Sequence, residues 1–413
     1  MGRPLRIAIA SYRAHPEVGG QGVYVTNLAA ALRDLGHDVT IFAGPPYPLI
    51  PDGVHLETVP SLDLYRPSDP FRRPSAGEFH NPIDALEYAI MCTGAFPEPM
   101  TFSLRFARLM KHRQDDFDVV HDNQCLGYGM LTVAKRLPLV TTIHHPISID
   151  RRLALQAAPT RAKRMAQKRW YSFVAMQRRV AKRLPSIVTV SRSARDDIVR
   201  EFGVAPERVE VIHNGVDLEL FRPLPHIDKR PGLLLTVASS SQPSKGLDHL
   251  LEAVAKLRTE RPEVRLVVIG KGGREPSFAR AVERFDLGGH VEAHGRVDTL
   301  RMVELLAAAE VAVVPSLYEG FSLPAIEAMS CGLPVVATTG GALREVIGEA
   351  GITVPPGDAG ALAAAAGKLL DDVTARRRLG EMGRQRVLER FTWRSTAEHL
   401  VDSYREVMRL ADR

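Results

Sequence analysis

Cysteine is scarce: Cys92, Cys125 and Cys331 are the only three in 413 residues, far apart and odd in number. They can build neither a disulfide framework nor a zinc knuckle, and they fit a reducing, cytoplasmic compartment. No apolar run approaches the ~18–20 residues that cross a bilayer. Met1–Pro4 leads almost directly into a strand-like Arg6–Ala10, without the apolar core or cleavage site of a secretory leader. Aromatic residues make up 6% of the chain, thin for a platform that stacks single-stranded nucleic acid. HExxH, GxSxG, Walker and CxxC patterns are all missing, which leaves zinc-hydrolase, serine-esterase and P-loop ATPase readings without support.

Acidic residues are missing from one long stretch. Residues 151–183 hold eleven Lys or Arg and no Asp or Glu, against a formal net charge of +6 for the whole chain. The remainder is therefore slightly acidic. The basic character belongs to one local surface that wants an anionic neighbour, which argues against a nucleic-acid binder. Within Arg161–Arg183, Ala166, Trp170, Phe173, Val180 and Leu184 recur at helical spacings among cations. That pattern suits a peripheral dock on an anionic membrane face, and equally a solvated helix of the first half.

What the chain does have is alternation. Short apolar runs, many β-branched and apolar on both faces, read as strands of parallel sheets. In the first half they cover Arg6–Tyr12, Asp38–Gly44, Val54–Pro60, Asp118–Asn123, Leu139–His145, Ser186–Ser191 and Arg208–Gly215. In the second half they cover Leu233–Ser239, Val264–Gly270, Val291–Val297, Val311–Ser316, Pro334–Gly340 and Gly351–Pro355. Segments of helical period lie between them, such as Val23–Leu35, Leu247–Glu260 and Thr299–Glu310. Strand–helix alternation builds right-handed doubly wound sheets, and thirteen strands exceed one sheet of ordinary size. The expected architecture is α/β, with two Rossmann-like domains facing across a cleft. The proline-rich stretch from Arg222 to His226 places the domains at 1–222 and 223–391, with a C-terminal helix over 392–413 crossing back to the first. Residues 61–100, rich in proline, interrupt the alternation and read as a lid or an irregular insertion.

The most informative segment is 313–329, which reads as a buried strand, a turn and a helix with Pro324 in its first turn. The amides of Gly320, Phe321, Ser322 and Leu323 then face outward at a helix N-terminus, an anion site made of orphan donors and the positive dipole end. Glu319 and Glu327 bracket that turn. Carboxylates repel a phosphate but accept paired hydroxyls, so the arrangement describes a nucleotide sugar, with ribose at one end and hexose at the other. An N-terminal acid that merely stabilises the helix dipole is the alternative for Glu319. Glu327, set among Ala325, Ile326, Ala328 and Met329, is expected to be buried, where an idle carboxylate is costly. Lys245-Gly246 and the loop Gly19-Gly20-Gln21-Gly22 also fall at carboxyl ends of strands, where open α/β sheets bind ligands. So does His144, able to bond a sugar hydroxyl or steady developing charge, or simply to be a core histidine.

With these residues in place, the chain resembles retaining glycosyltransferases of family 4, which have the two-lobed GT-B fold. The likeness runs nearly end to end. Its marks are Gly19-Gly20, His144, Val190-Ser191, His213-Asn214-Gly215-Val216-Asp217, Lys245-Gly246, Gly270-Lys271-Gly272, the pair Glu319 and Glu327, and Gly340-Gly341 with Glu345. The resemblance implies that Glu327 holds the donor ribose and Glu319 faces the transferred sugar. Lys245 and the Phe321, Ser322 and Leu323 amides would bind the diphosphate, Arg296 and Val297 the nucleobase. Gly20 would admit the phosphates, and His144 would contact the sugar or the charge at its reacting carbon. One departure stands out: Ser240 occupies the place of the family's usual arginine. A serine offers no bidentate cation, so Lys271 or Arg274 substitutes, or the leaving group is less well held.

The implied activity is transfer of a hexose from a UDP, GDP or ADP sugar to the hydroxyl of a glycan, glycolipid or small molecule. The implied chemistry needs no metal and no cofactor. A nucleotide-sugar binding protein without turnover and a nucleotide-sugar epimerase are the competing readings.

Overall fold

The computed structural model describes residues 3–15, 20–66, 68–238 and 243–411. Gly19 and Ser240 lie outside the described residues. Among the described residues the chain forms two compact units, one of residues 1–212 with 393–413, the other His213–Thr392.

The first unit holds seven strands: β1 Arg6–Ser11, β2 Asp38–Ala43, β3 His55–Thr58, β4 Val119–Asn123, β5 Leu139–Ile143, β6 Ser186–Thr189 and β7 Val209–Val211. They lie parallel in the order β3-β2-β1-β4-β5-β6-β7. β1, β4 and β5 sit mid-sheet and are almost wholly buried, which is why their sequences are apolar without alternation. The strand order reverses between β1 and β4, and such a switch point opens a crevice at the carboxyl ends. Both functional candidates of this unit lie at that carboxyl edge: Gly20 opens the helix Gly20–Asp34 that follows β1, and His144 follows β5, one strand beyond β4.

The second unit holds β8 Leu233–Val237, β9 Arg265–Ile269, β10 Val291–Gly295, β11 Val311–Val314, β12 Val335–Thr338 and β13 Gly351–Val354. Their order is β10-β9-β8-β11-β12-β13, again parallel, with the switch point between β8 and β11. The Lys245 turn follows β8 and the Glu319 turn follows β11, so topology alone delivers both to one crevice.

Three expectations need correction. The seam falls after Ile212, not after Arg222, because residues 213–222 are tied to the second unit. Phe221 O accepts from Ser330 Oγ at 2.5 Å and from Arg384 Nη1 at 3.2 Å. The prolines beyond it mark a surface stretch. Second, the insertion at 61–100 is not irregular throughout, since it holds the helix Pro82–Cys92 and the start of the helix Glu98–Met110. Their buried faces carry Asp84, Glu87 and Arg105, joined at 2.6 and 2.7 Å, so charge sits where a hydrophobic pattern would look for leucine. Third, the basic stretch is not one helix but Arg161–Trp170, a 3-10 turn at Tyr171–Phe173, and Val174–Ala181.

The closing helix Trp393–Ala411 packs with the first unit. Trp393, Leu400, Val401, Tyr404 and Val407 join the core formed by Ile7, Ile9, Val25, Leu28 and Val39. Tyr404 also ends a buried polar chain: its hydroxyl meets His121 Nδ1 at 2.7 Å, His121 Nε2 meets Thr142 Oγ1 at 3.1 Å, and Thr142 meets Tyr24 OH at 3.1 Å. Burial pushes His121 down to about 3, so its ring is neutral and must find partners rather than charge. Tyr404→Phe leaves one ring nitrogen unsatisfied, a loss of roughly 1–3 kcal/mol. Thermal unfolding is expected to fall by several degrees.

Candidate active site

The turn after β11 is built by close backbone approach. Leu317 N donates to Ser244 O at 2.7 Å, locking the Lys245 turn against it. Gly246 sits at φ +65°, and a side chain there would collide with Pro315 O. On the other side Ala342 N donates to Glu319 O at 2.8 Å, and Glu319 and Gly341 form a parallel bridge. A Cβ on Gly341 would strike Glu319 O, while one on Gly340 would lie 2.5 Å from Leu317 O. The glycines at 246, 340 and 341 are therefore the geometry that fixes Glu319.

Within this frame Glu319 Oε1 accepts from Lys245 Nζ at 2.8 Å and from Ser316 Oγ at 2.7 Å. Oε2 has no hydrogen bond among the described residues, so one oxygen is anchored and the other is available. The sequence reading placed both residues at a binding edge, but not this pairing.

The helix Leu323–Ser330 begins with Pro324 in its first turn and no side-chain cap. Ser322 precedes it at φ 90°, a left-handed conformation that a non-glycine residue adopts only under constraint. The amides of Phe321, Ser322 and Leu323 donate no hydrogen bond among the described residues, and the buried Ser322 Oγ has none either. A cluster of unspent donors at a helix N-terminus is the arrangement that holds a phosphate. Gly320 adjoins them.

One turn on, Glu327 is half-buried rather than fully buried, and its carboxylate makes no hydrogen bond or ion pair among the described residues. Loss of hydration alone pushes it up to about 7. Phe321 is buried against His213 and Phe391, with ring centroids 6.0 and 5.5 Å away. His213 Nε2 lies 3.0 Å from Glu345 Oε1, so these marks of the family brace the turn from behind.

Arg296 and Val297 follow the edge strand β10, the arginine exposed and the valine half-buried. Lys271 and Arg274 lie in the turn after β9, both exposed, and Arg274 Nη2 donates to His294 O at 3.2 Å. Among the described residues no group of three or more His, Cys, Asp or Glu side chains is placed to hold a metal ion.

In the first unit, His144 is oriented by three neighbours. Its Nε2 is 2.9 Å from Asn123 Oδ1, its N donates to Gln124 Oε1 at 2.6 Å, and Tyr24 meets its ring edge-on at 4.7 Å. Asn123 Nδ2 donates to Ser11 Oγ at 3.1 Å, so its oxygen is the atom facing His144. Nε2 therefore carries the proton and Nδ1 presents a lone pair. Burial, then His145 and His121, push the ring down to about 3. A neutral imidazole favours contact with a hydroxyl over service as a cation. Gln124, at φ 54°, also donates to His145 O at 2.8 Å; neither it nor Asn123 was singled out by motif. Gly20 is exposed at its helix start. Gly22 is the sterically demanded glycine of that loop, since a Cβ there would overlap His15 O.

Four of the five apolar positions of the basic stretch turn inward, while Ala166, beside the exposed Met165, faces solvent. Trp170 stacks on Phe96 at 5.0 Å, Phe173 meets Phe96 edge-on at 5.6 Å, and Val180 and Leu184 are in the core. They are spent on the protein, and among the described residues no helix is long and apolar enough to cross a membrane.

Two parallel α/β units, each with its crevice at a switch point, and a carboxylate-flanked anion turn define a glycosyltransferase of the GT-B fold. The family descriptions "Glycosyltransferase Family 4" and "Glycosyl transferases group 1" match residues 18–220 and 231–372. The chain is 46% identical to an MMP alpha-(1->4)-mannosyltransferase of Mycolicibacterium hassiacum, over 98% of each protein. It is 30% identical to D-inositol 3-phosphate glycosyltransferase 2 of Catenulispora acidiphila, over 97% of this chain and 95% of that one. Sucrose-phosphate synthase from Thermosynechococcus elongatus shares the fold, with a TM-score of 0.73 at 23% identity, covering 98% of this chain and all of that one. The chain belongs to glycosyltransferase family 4.

Proposed function

We propose that the chain transfers a hexose, mannose first among candidates, from a nucleoside-diphosphate sugar to an acceptor hydroxyl with retention at the anomeric carbon. The observation that carries this is Glu327: a half-buried carboxylate with no protein partner, one turn beyond three unspent amides. Such a group is costly unless a ligand's hydroxyls fill it, and ribose beside a diphosphate meets both needs. The relative at 46% identity, a mannosyltransferase over nearly the whole chain, supports the choice of sugar.

In this reading the Phe321, Ser322 and Leu323 amides, the Ser322 hydroxyl and Lys245 take the diphosphate. Arg296 and Val297 border the base. Glu319 Oε2 accepts from a hydroxyl of the hexose, and in the first unit His144 Nδ1 offers its lone pair to a ligand hydroxyl. As the bond from the anomeric carbon to phosphate oxygen breaks, negative charge grows on the leaving diphosphate, where Lys245 and the amides stabilise it. The sugar passes through an oxocarbenium-like state. The acceptor oxygen bonds the same face, and its proton goes to the departing phosphate.

The test is transfer from GDP-mannose, UDP-glucose and ADP-glucose to mannoside and glucoside acceptors, with the product's anomeric configuration read by NMR. The expected result is an α-linked product from an α-configured donor. A β-linked product refutes retention, tight binding without turnover supports a binding protein, and acceptor-free interconversion of donors supports an epimerase. Metal independence belongs to the same proposal: excess EDTA is expected to leave the rate unchanged.

A further inference from the structure

We propose that the first unit carries a second ligand site, an anion-binding cavity that takes a phosphate monoester. The cavity, of about 450 Å³, lies among the helices Ile147–Ala157, Val174–Ala181 and Arg192–Phe202. Its volume falls within the ~300–1,000 Å³ of small-molecule sites. Arg151, Arg178, Arg179 and Lys182 line it, with Glu201 as the one acid. Glu201 is already neutralised by Arg152 Nη1 at 2.8 Å. None of the donor-site residues named above lines this cavity.

The cations are left uncompensated. Arg179 donates to Tyr128 OH at 3.3 Å, a neutral partner. The side chains of Arg151, Arg178 and Lys182 have no hydrogen bond or ion pair among the described residues, and the buried Arg151 Nε lacks an acceptor altogether. Elsewhere enclosed guanidinium groups are paired with acids, as Arg13 with Glu98, Arg105 with Asp84 and Glu87, and Arg376 with Glu310, or are held by backbone carbonyls, as Arg384 and Arg386 are. Gathering like charges around one cavity raises the energy of the free protein unless an anion joins them. Planar guanidinium forks and an ammonium suit a phosphate with several oxygens and close to two charges better than a lone carboxylate, which one fork would satisfy. The buried Val174 and Phe202 add an apolar wall for the organic part of an ester.

The experiment uses the full chain at constant ionic strength, with inorganic phosphate and glucose 6-phosphate as calorimetric probes. Wild type is compared with the Arg178→Gln/Lys182→Gln variant, whose altered residues are exposed, and with Lys245→Gln as the donor-site control. Saturable binding is expected in wild type and in Lys245→Gln. It should weaken at least about tenfold in the double variant, as befits the loss of charge-assisted bonds, while basal transfer and the unfolding midpoint stay the same. Vesicles of phosphatidic acid in phosphatidylcholine separate the two sources of the phosphate. If they displace glucose 6-phosphate, a lipid headgroup can supply it; if they do not, a soluble ester does, and either result supports the site. Equal affinity in the double variant, loss of binding in Lys245→Gln, or no saturable binding in wild type overturns it.

Discussion

Glu327→Ala is expected to lower kcat/KM for transfer roughly a hundred- to ten-thousand-fold, the loss of two hydrogen bonds to a charged group at ~1.5–3 kcal/mol each. The fold should survive the change. The side chain bonds to nothing in the protein, so its removal orphans no partner. Near-normal turnover would remove Glu327 from the donor site. The same residue sets a pH dependence. Its carboxyl titrates near 7 in the free protein, and only the ionised form accepts two hydroxyls without giving up an oxygen to its own proton. Donor affinity should therefore rise with pH through neutrality, and Glu327→Gln should flatten the profile. Stability runs the other way. Between the ordinary value of 4.5 and about 7 the native chain holds a proton that the unfolded chain releases. Glu327 thus costs the free protein stability as pH climbs through that window, and Glu327→Gln removes its share of a slope to which Glu98 and Asp122, also pushed up to about 7 by burial, contribute as well. Unfolding midpoints from pH 5 to 8, read without nucleotide, check it.

Lys245→Ala is expected to cut kcat by about a hundred- to a thousandfold, the usual effect of removing one group that stabilises transition-state charge. Lys245→Arg should recover part of that loss, because charge returns while the fit to Glu319 does not. The ion pair also predicts a split between binding and turnover. Lys245 Nζ stands 2.8 Å from Glu319 Oε1, so a diphosphate arriving there meets an ammonium already half-satisfied by an acid. Glu319→Gln should then bind free nucleoside diphosphate more tightly than wild type while transferring sugar more slowly. Calorimetry with UDP and GDP beside steady-state rates decides it; if binding and turnover fall together, Glu319 supports the loop and does not face the sugar.

Much of this was readable from sequence because parallel strands are apolar on both faces. All thirteen expected strands occur, and most end a residue or two early, as at Val54–Pro60 against His55–Thr58. Part of the excess has a plain cause: residues such as Val190 and Ile212 remain buried after they leave the ladder, and an apolar pattern reports burial rather than pairing. The strand, turn and helix over 313–329 were legible because proline and glycine fix local backbone wherever they stand. What escaped notice depends on contacts distant in sequence. Lys245 and Glu319 are 74 positions apart, and Asn123 and His144 are 21 apart, so no local spacing announces either bond. The helices at 82–92 and 98–110 were missed for a different reason, since their buried Asp84, Glu87 and Arg105 satisfy one another and erase the apolar stripe.

The helix Trp393–Ala411 has a consequence for biosynthesis. The first unit draws Trp393, Leu400 and Tyr404 into its interior, yet these residues follow the whole second unit in chain order. A nascent chain can finish its second unit while the first still lacks a wall. The unit made earlier is thus completed after the unit made later, and a truncation just before Trp393 would damage the first unit while sparing the second.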